Sequence, residues 1–445
     1  MSVAAREAVD WPAAAAEATA LLIDLIRLDT TNPPGGESQA AEYLADVLRG
    51  DGIDVTLLAA TPGRANLVAR LCGQGEQPPC LFLAHTDVVY ADAARWRVPP
   101  FAGAVRDGYV WGRGAVDMKG LLAMQVMALR LARRLGMRLD RDILLLASAD
   151  EEDTGRYGAG WVVDHHWDRV ACGVALGEGG VGVDLGGRPL FLVATAEKGY
   201  ADLRLTARGQ GSHASTPGPD NALVRLARAI NRLAAYRSPA RLTPPVAEQM
   251  AALAPHLPRS EQLALAGMRA PALADWLADR VTQPSLRHAF RNTFTPTVAH
   301  AGRQPNVVPD HAEATVNCRV LPGVSRDDLL AEARRAVADT DVEVEARQFN
   351  PASASPTRTA FFEALAAAVR SEHADAAIIP YMMSGATDAR HFRARGVTTY
   401  GLMPVVLAAD EMAGIHGVDE RLRVAHLERG SRVLYHFLRG FATRP

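Results

Sequence analysis

The sequence predicts an α/β fold, a mostly parallel sheet covered by helices, with a smaller α+β domain inserted into it. Three observations carry this prediction. In the first third, near-continuous apolar strands alternate with amphipathic helices, which argues for a sheet buried on both faces. After about residue 197 the strands alternate apolar and polar residues, as half-exposed strands do. From FFEALAAAVRSEH onward the first pattern returns. The shifts place the main domain at 1–197 and 348–445 and the insert at 198–347. The length of 445 residues suits two or three domains, or one large domain with an insertion.

The elements follow in order. Residues 13–28 form an amphipathic helix that stops at TTNPPGG, because proline and glycine do not continue it. GESQAAEYLADVLRG is a second helix, closed by Gly50 and Gly52. IDVTLLA and ANLVARL read as strands by length and β-branched content. CLFLAHTDVV, DILLLASADEE and GVALGEGG are buried strands that run into polar residues. MKGLLAMQVMALRLARRLG is a helix with arginines in its last turns, where they complement its dipole. In the insert, KGYADLRLTARG, FTPTVAHAG, EATVNCRVLPG and VEVEARQ are strands, and NALVRLARAINRLAAY and RDDLLAEARRAVA are helices. The Ala, Leu and Pro-rich stretch 238–290 reads as short helices. VTTYGLMPV is a further buried strand, and a last helix lies near 420–441.

Composition narrows the function. The net charge of −2 excludes a strongly basic nucleic-acid binder. No stretch approaches the ~20 uninterrupted apolar residues of a membrane span. Cys72, Cys80, Cys172 and Cys318 form no CxxC pair, which suits a reducing cytoplasm. The start MSVAAREAVDW lacks a basic stretch followed by an apolar core, so no signal peptide is expected and the protein reads as cytoplasmic. Only two of the 48 basic residues are lysines, Lys119 and Lys198. An arginine-favouring composition explains most of that bias. Both lysines nevertheless fall inside motifs, GRGAVDMKG and AEKGY.

Metal-type ligands collect after apolar strands. HTDVV supplies His85 and Asp87, ADEED supplies Asp150 to Asp153, and GEGG supplies Glu178. GLMP follows a strand at 397–400, with His416 of IHGVDE close behind. Asp117 lies in the glycine-rich turn GRGAVDMKG before a helix. The C-terminal edge of a parallel sheet is where ligands bind in open α/β folds. Each motif alone has a plainer reading, as a satisfied polar pair or a solvated acidic loop. Their coincidence points to a metal site, and mixed imidazole and carboxylate ligation suits zinc, with enough carboxylates to bridge two ions.

HTDVV, GRGAVDMKG, ADEED, GEGG, AEKGY, GSHAS, QPNVVP, CRVLPG, SGATDARHF and IHG occur in the order and spacing of a known family. The chain resembles the co-catalytic zinc exopeptidase and aminoacylase family, which includes carboxypeptidase S, aminoacylase, acetylornithine deacetylase and succinyl-diaminopimelate desuccinylase. SGATDAR and the helical stretch before FTPTV look most like the carboxypeptidase S branch. The resemblance implies a zinc exopeptidase-like catalytic domain carrying a lid and dimerisation insert. It implies two zinc ions per subunit, with cobalt or manganese as substitutes. His85 and Glu178 would bind one ion, Glu152 and His416 the other, and Asp117 would bridge them. Glu151 would be the general base, and Asp87 would hold the His85 imidazole in its ligating tautomer. His213 would donate to the oxyanion, from its own chain or from the partner subunit of a homodimer. Arg319 would bind the substrate carboxylate and Asn306 would add a hydrogen bond. Gly385, Thr387 and Asp388 would wall the substrate pocket.

The implied reaction is hydrolysis of an amide next to a free carboxylate, in an N-acyl amino acid, a dipeptide or the C-terminal residue of a short peptide. Glu178, where some members have aspartate, tilts this towards acyl-amino-acid cleavage. The alternative is a catalytically silent binding protein on the same scaffold. Such a relative would be expected to lose the base or a ligand first, yet Glu151 and all five ligand candidates are present.

Overall fold

The computed structural model describes residues 9–267, 270–279, 288–338 and 340–443. The α/β architecture is the one expected. Unit 1 comprises Met1–Thr195, Ser355–Pro380 and Thr387–Pro445, and unit 2 comprises Ala196–Ala354 and Tyr381–Ala386.

In unit 1 the first helix spans Trp11–Arg27. Asp10 caps it by accepting from the Ala13 N–H at 3.1 Å, and Pro12 occupies its first turn. Ala14, Ala18, Leu21, Leu22, Leu25 and Ile26 form its buried face. The central sheet runs Asp54–Ala59, Ala65–Leu71, Ile143–Ser148, Cys80–His85, Val174–Asp184, Thr398–Val406, Pro189–Glu197. The four strands from Ile143–Ser148 to Thr398–Val406 are parallel, and the strands flanking them on both sides are antiparallel. Every residue of Cys80–His85 and Ile143–Ser148 is buried, which is why those runs are apolar without alternation. Parallel neighbours need a crossover, and the helix Lys119–Arg134 lies on the one between these two strands. That helix packs against Trp11–Arg27 and Val424–Phe441 and is buried almost all round. Each fully buried leucine in this layer contributes about 1.5–3 kcal/mol.

Two strand ends differ from the sequence reading. Glu178 does not follow its strand but lies inside Val174–Asp184, and the strand begun at Thr398 continues through GLMP to Val406. The glycines of GEGG and GLMP read as terminators; they serve instead for close approach of backbones. A Cβ on Gly401 would stand 1.5 Å from the Glu178 carbonyl oxygen. The pairing of these two strands shifts register between Gly401 and Met403, beside Glu178.

Unit 2 holds a four-stranded antiparallel sheet in the order Thr293–Ala301, His311–Val320, Gly199–Arg208, Val342–Asn350. Burial along His311–Val320 alternates residue by residue, so Ala312, Ala314, Val316, Cys318 and Val320 share the covered face. The helices Ala222–Ala235 and Arg326–Ala336 pack on this sheet. Asn221 caps the first, and Ser325 with Asp328 forms a capping box on the second. The expected short helices appear as Pro244–Leu253, Arg259–Gly267 and Pro271–Ala278; the rest of 238–290 includes 268–269 and 280–287, outside the described residues.

Both lysines are buried, Lys119 at 0% and Lys198 at 1% exposure. Lys119 Nζ donates to the Leu25 and Leu28 carbonyls at 2.8 and 3.0 Å, where a cation complements the C-terminal end of the first helix. Burial pushes its ammonium down to about 8, against the pull of Asp29, Asp87 and Glu420. No helix among the described residues is long and apolar enough to cross a membrane.

Candidate metal centre and active site

Six residues of unit 1 converge at the C-terminal edge of the parallel strands. His85 is the last residue of Cys80–His85, and Glu151 and Glu152 follow Ile143–Ser148 after Ala149 and Asp150. Glu178 projects from the third parallel strand. Asp117 ends the glycine-rich turn before Lys119–Arg134, and His416 lies in the turn before Arg421–Arg423. Asp117 has one oxygen on each side: Oδ1 is 3.2 Å from His85 Nε2 and Oδ2 is 3.1 Å from His416 Nε2. Glu178 Oε1 lies 3.6 Å from His85 Nε2, and Glu152 Oε2 lies 3.1 Å from His416 Nε2. Glu151 groups with His85 and Glu178 instead of Asp117 and Glu152, so the two adjacent glutamates serve different sides.

The His85 ring is oriented from behind. Its Nδ1 lies 3.0 Å from the Asp87 carbonyl oxygen and 3.5 Å from Asp87 Oδ1. A proton on Nδ1 satisfies that carbonyl and leaves Nε2 free to ligate. The Asp87 carboxylate instead accepts the main-chain N–H groups of Glu151 and Glu152 at 3.2 and 3.0 Å. Asp87 thus places the strand-end turn that carries both glutamates.

The donor set suits two divalent ions. Ligand atoms at about 2.0–2.2 Å from one tetrahedral ion stand about 3.4 Å apart, close to the imidazole–carboxylate spacings seen here. The electrostatics agree. Burial pushes the Glu178 carboxyl up to about 7, with Asp117 and Glu152 adding to the rise and His85 opposing it. Burial, then Glu178, Asp388 and Glu152, holds Glu151 well above the usual carboxylate range, again against His85. Asp117 and Glu152 raise His416 to about 10. His85 is disfavoured as a cation by burial, yet Glu178, Asp117 and Asp87 hold it well above its ordinary value. Crowded buried carboxylates beside imidazoles make this a candidate metal site.

The model of peptidase family M20/M25/M40 matches residues 81–440. The chain belongs to that family. Among curated relatives, it is 29% identical over 376 residues to a probable carboxypeptidase S-like 2 of Dictyostelium discoideum, covering 81% of this chain and 71% of that one. It is 31% identical over 360 residues to the Xenopus tropicalis N-fatty-acyl-amino acid synthase/hydrolase PM20D1, covering 79% and 70%. It is 28% identical over 411 residues to a probable succinyl-diaminopimelate desuccinylase of Staphylococcus epidermidis, covering 91% and 92%. Among solved structures, an M20 family metallo-carboxypeptidase of Sulfolobus solfataricus shares the fold at a TM-score of 0.75 and 16% identity, covering 95% of this chain and 99% of that one. The M20 chain is a hydrolase, a metallo-amidohydrolase.

Several buried groups that support this M20 site carry no legible signal of their own. Glu420, at 0% exposure, accepts the main-chain N–H groups of Gly114, Val116 and Asp117 at 2.9, 2.8 and 3.0 Å, and Arg113 Nη1 at 2.7 Å. Arg113 Nη2 in turn donates to the Gly417 carbonyl at 2.7 Å. One buried ion pair therefore ties the turn of Asp117 to the turn of His416. On the other side, Arg64 forms a two-point pair with Glu37 at 2.7 and 2.8 Å and reaches Asp150 Oδ1 at 3.0 Å. Asn32 donates to both Asp87 and Asp150 at 2.9 and 3.0 Å. Asp150 has φ +57°, a conformation that aspartate tolerates better than most residues. Glu420 was visible only as part of IHGVDE, Asn32 only as part of TTNPPG, and Arg64 was one arginine among many. Glu420→Gln should strand the Arg113 charge and cost about 3–5 kcal/mol of unfolding free energy. Denaturant unfolding together with zinc titration checks this, and an unchanged midpoint would show that the clamp carries no such weight.

The remaining predicted residues are distributed over both units. Thr387, in unit 1, is buried and lines a cavity of about 10 Å³ with His85, Glu178 and Asp388, while Asp388 accepts from Ser148 Oγ at 2.7 Å. Gly385 belongs to the Tyr381–Ala386 segment of unit 2. His213 lies in unit 2 on the two-residue strand Ser212–His213, paired with Val307–Val308. Its ring is exposed, with Nδ1 2.7 Å from Ser215 Oγ. The same pairing sets Asn306 beside it, with the Asn306 carbonyl accepting from Ala214 N–H at 2.9 Å. Arg319 stacks its guanidinium over the Tyr200 ring, 5.2 Å from the centroid.

Proposed function

We propose that the chain hydrolyses the amide bond of N-acyl amino acids or short peptides that carry a free carboxylate, using two zinc ions. The observation that carries this reading is the two-sided Asp117, with one oxygen towards His85 and the other towards His416. His85 and Glu178 would hold one ion and His416 and Glu152 the other. When bound, the ions would supply Lewis acidity to the scissile carbonyl and acidify the attacking water. Glu151 would take a proton from that water and deliver it to the leaving amine, so that amide and water become carboxylate and amine. Arg319 would bind the substrate carboxylate, Asn306 would add a hydrogen bond, and Gly385 and Thr387 would shape the pocket. His213 would donate to the oxyanion, from its own chain or from the partner subunit of a homodimer.

Relatives named for carboxypeptidase S, fatty-acyl-amino-acid hydrolysis and desuccinylation all act next to a carboxylate-bearing residue by their names, which supports this substrate class. The four cysteines are all free, which supports a reducing, cytoplasmic setting. The test is a hydrolysis panel with zinc- or cobalt-loaded protein, comparing N-acetyl amino acids, long-chain acyl amino acids and dipeptides with their carboxamide analogues. Cleavage of carboxylates with at least about a hundredfold preference over carboxamides is expected, since a bidentate charged contact is worth several kcal/mol. Equal rates on both would overturn the carboxylate requirement.

A further inference from the structure

Glu151 and Glu152 stand in a turn beyond the reach of the central sheet's ladder. The pairing of Cys80–His85 with Ile143–Ser148 ends where His85 lies opposite Ser148. After that point side chains set the geometry. Asp87 accepts the Glu151 N–H through Oδ1 and the Glu152 N–H through Oδ2, at 3.2 and 3.0 Å. Asp150 folds the rest of the turn, accepting from the Thr154 hydroxyl at 2.6 Å and from the Tyr157 N–H at 3.1 Å. Both carboxylates are 0% exposed. One side chain spans them. The Asn32 amide nitrogen donates to Asp87 Oδ2 at 2.9 Å and to Asp150 Oδ1 at 3.0 Å, and Arg64 answers Asp150 from another side at 3.0 Å. Two acceptors on one nitrogen stand within about 6 Å of each other, so these donors separate two buried acids that would otherwise repel.

Asn32 is itself buried, and its main chain is pinned to the segment after His85. Its N–H donates to the Val88 carbonyl at 2.9 Å, and the Val88 N–H donates to the Thr30 carbonyl at 3.1 Å. The Thr30 hydroxyl donates to the Thr86 carbonyl at 2.6 Å. The Asn32 side chain therefore reaches from the strand end that carries His85 to the turn that carries Glu151. The residue type fits the task. A carboxamide offers two N–H groups on one atom without adding charge; aspartate would set a third acceptor between two others, and serine offers a single donor. We propose that Asn32 is a positioning residue for proton transfer: by tying Asp87 to Asp150 it fixes where the turn presents the Glu151 carboxylate beside His85 and Glu178. Asn32 acts through Asp87 and touches no reacting group. The inference rests on the hydrolase reading above and goes beyond it, because it assigns part of kcat to a side chain outside both metal sides. Misplacing a reacting group by 1 Å costs about 10²-fold in rate, and the five ligand side chains are untouched by a change at Asn32.

Asn32→Ala in zinc-loaded protein is expected to lower kcat about 10- to 10²-fold on an N-acyl amino acid that the wild type cleaves, with KM little changed and about two ions still bound. Asn32→Ser, which keeps one donor, should fall between it and the wild type. Thermal unfolding confirms that each variant is folded, and the serine variant replaces the alanine one if the latter unfolds. The deciding comparison is a double-mutant cycle. In a Glu151→Gln background Asn32→Ala should lower kcat less than about twofold, because a side chain that no longer takes a proton gains nothing from exact placement. A loss of the same size in both backgrounds is what a purely structural role gives, and it overturns the proposal, as does an unchanged kcat. Amide hydrogen exchange is a second readout, independent of turnover: the peptide covering 150–157 should exchange about tenfold faster in Asn32→Ala, and unchanged exchange there overturns the proposal too. If the wild type cleaves its substrate and any of these results is found, the positioning inference fails and the hydrolase reading stands. If the wild type cleaves no amide, the hydrolase reading fails by itself, and exchange still decides whether Asn32 holds the turn.

Discussion

Glu151→Gln is expected to lower kcat by about 10²–10⁴-fold, the usual worth of a positioned general base. Glutamine keeps the shape of the side chain and loses only the capacity to accept and return a proton. The metal content is expected to stay at about two ions per chain, because His85, Asp117, Glu152, Glu178 and His416 all remain in place. KM should change little, since the lost interaction belongs to proton transfer. Metal analysis beside steady-state kinetics reads both quantities. Full activity in this variant would remove Glu151 from the mechanism. Loss of metal together with activity would make it a ligand and pass the base role to another group.

Asp117→Ala is expected to remove the ligand that both sides share. Metal content should fall below two per chain, and kcat/KM should drop by on the order of 10³-fold or more, since Lewis acid stabilisation of several kcal/mol is lost. The variant should still fold. The turn of Asp117 is held through main-chain N–H groups and Arg113 by Glu420, and alanine leaves those bonds in place. Titration of metal-stripped protein with zinc, followed by calorimetry and activity, separates weakened binding from a damaged fold. Two tightly bound ions with unchanged kcat would sink the bridging role.

Both variants fall on residues that short motifs of the sequence single out. His85, Asp117, Glu151, Glu152, Glu178 and His416 were all named from short motifs, and unit 1 brings them to one sheet edge. The residues behind them were not named as supports. Glu420 looks like one more acid in IHGVDE, and Arg64 like one more arginine. Their importance comes from burial, and burial of a charged side chain follows from which other charges the fold packs against it. Glu178 shows a different failure. Its glycine neighbours read as a strand end, but in the sheet they permit two backbones to approach where any Cβ would collide.

The lysines show the same division. Their rarity and their places in GRGAVDMKG and AEKGY were visible in the sequence, while their burial and opposite uses were not. Lys119 satisfies two carbonyls at a helix end, and Lys198 lines a cavity with Arg319. By itself the sequence determined the α/β fold class and its mostly parallel sheet, and it offered the candidate metal-type donors, because periodicity and the chemistry of side chains are local properties. Only the tertiary structure decided which oxygen faces which imidazole and which charges are answered by a partner. Those depend on distances between residues up to hundreds of positions apart, which the packing of the whole chain sets.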